Sequence, residues 1–153
     1  MPAIDPASGR QIENLIARYS ELVDDGDFAG VGDLLAHAVY RGSGAPLGGR
    51  EAIERWFRDT LIVHPGGTPR TQHITTNIAV ELDDHADTAR ARSYVTVLQA
   101  LPGRPPQVIA AGRYHDRFER HDGTWRFMER RVDIRLAGDL SGHLRPSAGE
   151  AHD

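Results

Sequence analysis

Cysteine and lysine are both missing from this 153-residue chain: all 18 of its basic residues are arginine. Without cysteine there is no thiol nucleophile, no disulfide and no thiolate metal ligand. Without lysine there is no Schiff-base chemistry, no lysine anchor for a pyridoxal cofactor and no phosphate-binding lysine of a P-loop. No run is apolar enough to span a membrane, and residues 1–10 carry Asp5 and two prolines where a secretion signal would need an apolar core. The expected location is cytoplasmic. Any chemistry falls to His, Asp, Glu, Tyr or a bound cofactor, and no cofactor is expected.

What is present reads as one ordinary globular domain, 39% hydrophobic and 26% charged. The formal net charge of -4 and the interleaving of arginines with acids speak against a nucleic-acid or anionic-membrane partner. Along the chain, residues 1–9 read as a flexible lead-in. Ile12, Leu15, Ile16, Tyr19, Leu22 and Val23 then recur at helical spacing and predict a helix from Gln11 to about Val23. Asp24-Asp25-Gly26-Asp27 stops it, with Asp27 placed to cap a second helix carrying Phe28, Val31, Leu34 and Leu35. Ala38–Arg41 is a short extended piece. A third helix starts near Arg50 and turns Ile53, Trp56, Phe57 and Leu61 inward.

The second half changes character. Thr71–Leu82, Thr88–Leu101, Val108–His121 and Thr124–Arg135 are long segments rich in Val, Ile, Thr and aromatics, separated by turn signals of which Asp122-Gly123 is the strongest. The pattern predicts an α+β domain over residues 10–136: a curved antiparallel meander wrapped as a cone around three N-terminal helices, with an apolar mouth. Residues 137–153, rich in Gly, Ser and Pro, are expected to fray. The strands at 88–101 and 108–121 are bulky on both faces, which predicts a homo-oligomer, trimer or dimer.

Three stretches resemble a known family: Ile12-Glu13-Asn14-Leu15 through Tyr19 to Asp24, Gln72-His73-Ile74-Thr75-Thr76-Asn77, and the hairpin Tyr114–Glu119 with Gly123–Phe127. Together they are similar to the SnoaL-like branch of the nuclear transport factor 2-like superfamily, which includes polyketide cyclases, scytalone dehydratase, lindane dehydrochlorinase and ketosteroid isomerase. The resemblance implies a cystatin-like cone. It also implies that an aspartate closing the first helix, here Asp24, orients a proton-abstracting histidine on the first long strand, here His73. By the same likeness Tyr40 would be a pocket tyrosine and Arg130 a pocket arginine. Scytalone dehydratase has a second histidine on the following strand, where this chain offers only Leu98 and Gln99.

The residues support that assignment on their own terms. A histidine can take and return a proton when a carboxylate fixes its tautomer, although Asp25 and Asp27 compete with Asp24 for that task. Strand alternation puts His73, Thr75 and Asn77 on one face, so Asn77 is expected beside His73 at the substrate. Tyr19, Tyr40 and Tyr114 are candidate donors to a developing oxyanion. Trp56 and Met128 are candidate pocket wall. Arg130 alternates with Met128 and Val132 and so faces inward, either to bind an anionic group or to pair with a buried acid. The other histidines, at 37, 64, 85, 115, 121, 143 and 152, show no metal-ligand spacing, and most fall in turns or near the chain ends.

Three functions fit: a cofactor-independent lyase or isomerase acting on a small hydrophobic cyclic substrate, a non-catalytic binding or assembly module like the small subunits of ring-hydroxylating dioxygenases, or a structural partner whose pocket is filled by its own side chains. A catalyst requires His73 and an aspartate in contact at an open apolar cavity; a pure module would show a filled cone, or His73 bonded away from it.

Overall fold

The computed structural model describes residues 5–83 and 87–146. Residues 1–4 of the expected lead-in, Asp84 and His85 of the first turn, and residues 147–153 of the tail with His152 lie outside the described residues.

Helix α1 spans Pro6–Asp24, five residues longer at its start than periodicity suggests. Asp5 is the reason: its carboxylate accepts a hydrogen bond from the Ser8 amide at 2.9 Å, and Pro6 supplies a pre-set φ in the first turn. Residues 6–9 are therefore helical. At the other end Gly26 has φ +72°, and a Cβ there would lie 2.5 Å from the Gly67 carbonyl oxygen, so only glycine fits the turn. Asp27 caps α2, Phe28–Leu34, by accepting from the Gly30 amide at 2.8 Å. Two short strands follow, β1 at Val39–Arg41 and β2 at Leu47–Gly48, then helix α3 at Arg50–Thr60. The long strands are β3 at Thr71–Leu82, β4 at Thr88–Gln99, β5 at Gln107–His121 and β6 at Thr124–Ala137. Asp122 and Gly123, at φ +50° and +80°, form the tight hairpin between the last two, as the Asp-Gly signal anticipates.

The sheet has six strands in the order β2-β1-β6-β5-β4-β3. The meander β3 to β6 is antiparallel, as expected. The sheet is nonetheless mixed, because β1 pairs parallel to β6, Tyr40 lying opposite Arg130. Parallel pairing cannot arise from a local hairpin and leaves no signature in short-range pattern. Helices and curved, unclosed sheet enclose a core of Ile12, Ile16, Phe28, Ile53, Phe57, Phe118 and Phe127. Along β4 the burial alternates cleanly, with Ala89, Ala91, Val95 and Val97 inside and Arg90, Arg92 and Tyr94 outside.

Bulges bend the strands and re-aim side chains. Between Thr76 and Ala79 the β3 register shifts; Asn77 takes a left-handed φ of +55° and is exposed. The expectation that Asn77 shares the inward face with His73 is thereby corrected, since asparagine tolerates the left-handed conformation that the bulge demands. In β6, Phe127 pairs with Phe118 and Glu129 with Arg117, leaving Met128 as the extra residue. Trp125 and Phe127 are inside before the bulge and Arg130 after it. Met128 therefore leaves the inward face, while Arg130 stays on it.

Arg130 and Asp116 sit directly opposite each other on β6 and β5, both fully buried, joined by two hydrogen bonds of 2.8 Å. The guanidinium also lies 3.8 Å from the Tyr114 ring centroid and 4.2 Å from that of Tyr19. Burial works against its charge, but Asp116 outweighs burial and holds the Arg130 pKa above its ordinary value. Of the two roles open to an inward arginine, pairing with a buried acid is the one realised. Replacing Arg130 by Met strands a buried carboxylate and is expected to cost about 3–5 kcal/mol in urea denaturation. Arg130→Met combined with Asp116→Leu should cost clearly less than the sum of the two single changes.

Candidate functional site

The last residue of α1, Asp24, points its carboxylate at the start of β3. One oxygen accepts from the Thr71 hydroxyl at 2.8 Å and from His73 Nδ1 at 2.6 Å; the other accepts from the His73 backbone amide at 2.8 Å. Of the three neighbouring aspartates Asp24 is thus the partner, Asp27 being used as a helix cap and Asp25 as the C-cap of α1. Because a carboxylate only accepts, the proton of this bond sits on Nδ1, so in the neutral ring Nε2 carries the lone pair. The pair is mostly buried, with the His73 side chain 9% and that of Asp24 18% exposed.

His73 lines a cavity of about 140 Å³ between the helices and the sheet. Tyr19 from α1, Tyr40 from β1, Trp56 from α3 and Tyr114 from β5 line it as well, so four of the seven expected substrate contacts converge there. Asn77, Met128 and Arg130 do not line it: the first two were turned away by bulges, and the third lies behind the Tyr19 and Tyr114 rings. The Tyr19 and Tyr40 hydroxyls are 3.3 Å apart. Burial pushes the pKa values of Tyr40 and Tyr114 well above 10 and raises that of Tyr19, so all three phenols are protonated and able to donate. The rest of the wall is aliphatic or aromatic, including Val95, Val97 and Val132.

The tail holds the residues that the sequence reading passed over. Instead of fraying from residue 137, the chain folds back: Gly138 donates to the Ile109 carbonyl at 2.8 Å, and Leu144 bridges to Leu61. Leu140, His143 and Leu144 thereby line the cavity. His64 Nε2 and the Gln99 side-chain amide both donate to the Gly142 carbonyl, at 2.8 and 3.0 Å. Gln99, one of the two residues standing where a second histidine was sought, thus fastens the segment that carries one. The Leu-x-x-His-Leu spacing of Leu140, His143 and Leu144 was the available signal, hidden among glycines and serines. Among the described residues no group of three or more potential ligands is placed to hold a metal ion, and no helix is long and apolar enough to cross a membrane.

A family model for the SnoaL-like domain matches residues 7–131. No curated protein sequence matches significantly. Among solved structures, an NTF2-like protein with a cystatin-like fold from Novosphingobium aromaticivorans is 26% identical, covering 87% of this chain and 84% of that one with a TM-score of 0.69. A second protein from that organism, provisionally named a scytalone dehydratase, is 22% identical, covers 87% of both chains and has a TM-score of 0.67. LinA is 22% identical over 94% of this chain and 91% of its own, with a TM-score of 0.68.

His143 makes the site acid-sensitive. Burial first, and then the neighbouring His73 charge, lower its pKa from the usual 6.5 to about 4, with His64 adding to the shift and Asp24 opposing it. Between pH 6.5 and 4 the unfolded chain binds a proton at this residue that the folded chain refuses. The His143 contribution to stability is therefore complete above about 6.5 and is lost as pH falls towards 4. Denaturation at pH 7 and pH 4.5 should show the wild type losing roughly 2 kcal/mol more than His143→Asn over that interval.

Proposed function

Because this chain belongs to the SnoaL-like domain family of the nuclear transport factor 2-like superfamily, we propose that it is a cofactor-independent lyase or isomerase that runs on an Asp24–His73 acid–base pair. The observation that carries the reading is the 2.6 Å bond between Asp24 and His73 Nδ1 at the wall of an apolar cavity. Membership makes the chain one of a family of small-molecule-processing domains. The dehydratase name of one neighbour, whose likeness extends to the fold alone, is compatible with lyase chemistry.

In the proposed reaction the unprotonated Nε2 of His73 abstracts a proton from a substrate carbon. Asp24 holds the ring in the tautomer that leaves Nε2 free and stabilises the imidazolium that forms. The Tyr19, Tyr40 and Tyr114 hydroxyls donate to the oxygen on which negative charge develops. His73 then returns the proton to another carbon in an isomerisation, or to a departing group in an elimination. Thr71 and the His73 amide hold the Asp24 carboxylate aligned, so that the base does not have to be reorganised during the step.

The cavity also limits the substrate. It compares in size with the ~150 Å³ engineered cavity that accommodates benzene, which points to a single-ring compound. Among the described residues its polar side chains are two imidazoles, three phenols and the Trp56 indole, none of them a fixed charge, and Arg130 is paired with Asp116. A neutral substrate with one or two oxygens, or a halide, fits this lining; a carboxylate would be buried without a cation. An assembly module would show a filled cone or a His73 bonded away from it; the open cavity with His73 on its wall speaks for a catalyst, and turnover separates that from a ligand carrier.

A panel of cyclic ketones, hydroxy-ketones and halides should reveal turnover that His73→Ala lowers by roughly 10²–10⁴-fold while the fold is retained. Asp24→Asn should lower turnover with little change in substrate affinity. Binding across the panel without turnover by the wild type would sink the catalytic reading and leave a carrier.

A further inference from the structure

The outer face of the sheet, turned away from the cavity, carries basic side chains in direct register. Arg92 of β4 lies opposite His115 of β5, His115 opposite Arg131 of β6, and Arg131 opposite Arg41 of β1. One row thus crosses four strands without an acid. In the next row Arg90 lies opposite Arg117. These residues come from four separate segments, and strand pairing alone brings them abreast. Like charges directly opposite one another weaken a sheet, and a face built only to be solvated would alternate signs across its strands. In a chain of net charge -4 the crowding of cations on this face is a local conflict that folding by itself does not require.

The acids that could offset it stand at the rim. Glu81 meets Arg90 and Arg92 at 3.4 Å each, Asp83 meets Arg117 at 3.8 Å, and Glu129 meets Arg41 at 3.5 Å. None of these is the close double bond that joins Arg130 to Asp116. Arg131 is exposed and makes no hydrogen bond or ion pair with any described residue. Between these side chains the surface is recessed. Ala79, the small residue opposite Arg92 where β3 resumes pairing after its bulge, adjoins a hollow of about 300 Å³ walled by Arg90, Arg92, His115, Arg117 and Arg131. The half-buried His115 ring sits mid-row. Burial first and Arg131 next push its pKa below the usual 6.5, with Arg113 adding to the shift and Asp133 and Asp116 opposing it. The ring is a neutral donor among cations.

We infer that this hollow is a binding site for the diphosphate group of a small molecule. The planar fork of arginine matches phosphate oxygens two at a time. Arg92 and Arg131 stand two strand spacings apart, about 10 Å, wider than one phosphoryl group and within reach of two joined ones as the side chains lean inward. The ligand supplies the negative charge that the two rows lack, and His115 adds a hydrogen bond between the flanking forks. The site lies across the sheet from His73 and uses none of the groups assigned to the proposed chemistry.

Titration calorimetry of the full chain with inorganic diphosphate tests this. One ion should bind per chain, more weakly as salt is raised. Arg92→Gln and Arg131→Gln should each weaken it about tenfold or more. Arg58→Gln, which removes an arginine paired with Glu54 on α3, should change nothing, and neither should His73→Ala. Inorganic monophosphate should bind about tenfold more weakly than diphosphate, having only one group to offer the forks. Methyl diphosphate separates the two sources of the ligand: binding as tight as that of the inorganic ion means that the site takes the end of a larger molecule, and much weaker binding that it takes the free ion. Both sustain the site. Without ligand, Arg131→Gln should raise the urea midpoint, because it relieves like-charge crowding. A lower midpoint, equal binding of mono- and diphosphate, binding indifferent to Arg92 and Arg131, or no binding at all would each overturn the inference. Sedimentation covers the remaining case: an oligomer that Arg131→Gln dissociates, with no diphosphate bound by the wild type, makes this face a contact between copies instead.

Discussion

The Asp24 carboxylate is the joint between the helical layer and the sheet. It lies in the last turn of α1, where the helix dipole disfavours an anion, and no basic residue in that turn offsets it. Three donors from the first residues of β3 compensate: the Thr71 hydroxyl, the His73 amide and the His73 ring. A locally unfavourable residue is thereby held by tertiary contacts, a conflict between levels that folded proteins tolerate mainly where function requires it. The same bonds that dock the helix end on the sheet set the tautomer of His73, so positioning and chemistry here have one cause.

Around that joint the polar groups fall into two shells. The outer one is the Arg130–Asp116 pair, whose charges face each other, with the guanidinium set over the rings of Tyr19, Tyr114 and Phe127. The inner one is the cavity wall, in which the other sides of Tyr19 and Tyr114 take part. Putting the cation behind the rings keeps net charge out of the cavity while leaving phenols and imidazoles to face it. The positive charge of Arg130 draws the Tyr19 and Tyr114 hydroxyls toward greater acidity, against the larger opposite effect of burial. The phenols are therefore donors that hold their protons, suited to stabilising negative charge without accepting it.

Closure of the cavity depends on the C-terminal segment. Its contacts are chiefly backbone hydrogen bonds to the end of α3 and to the loop before β3, supplemented by His64 and Gln99. Such a latch orders a stretch whose glycines and serines have little intrinsic preference, and it seats Leu140, His143 and Leu144 where the meander alone would leave the cavity open.

Local periodicity determined most of the elements. The 3.6-residue spacing of Ile12 to Val23, the four long extended segments and the Asp-Gly turn each follow from short-range sterics and burial, and all survive folding. The family resemblance pointed to Asp24 and His73, where pattern alone left Asp25 and Asp27 as rivals for the same task. Only the tertiary structure decided the rest. Asn77 and Met128 were misplaced because each sits within a bulge, where an extra residue breaks the alternation, and alternation carries no warning of where one falls. Asp116 as partner of Arg130 depended on cross-strand register, and the parallel pairing of β1 with β6 on contacts between residues far apart in the chain. His143 was unreadable for the same reason: what brings it to His73 is a set of backbone hydrogen bonds between distant segments, and backbone groups are the same in every residue but proline.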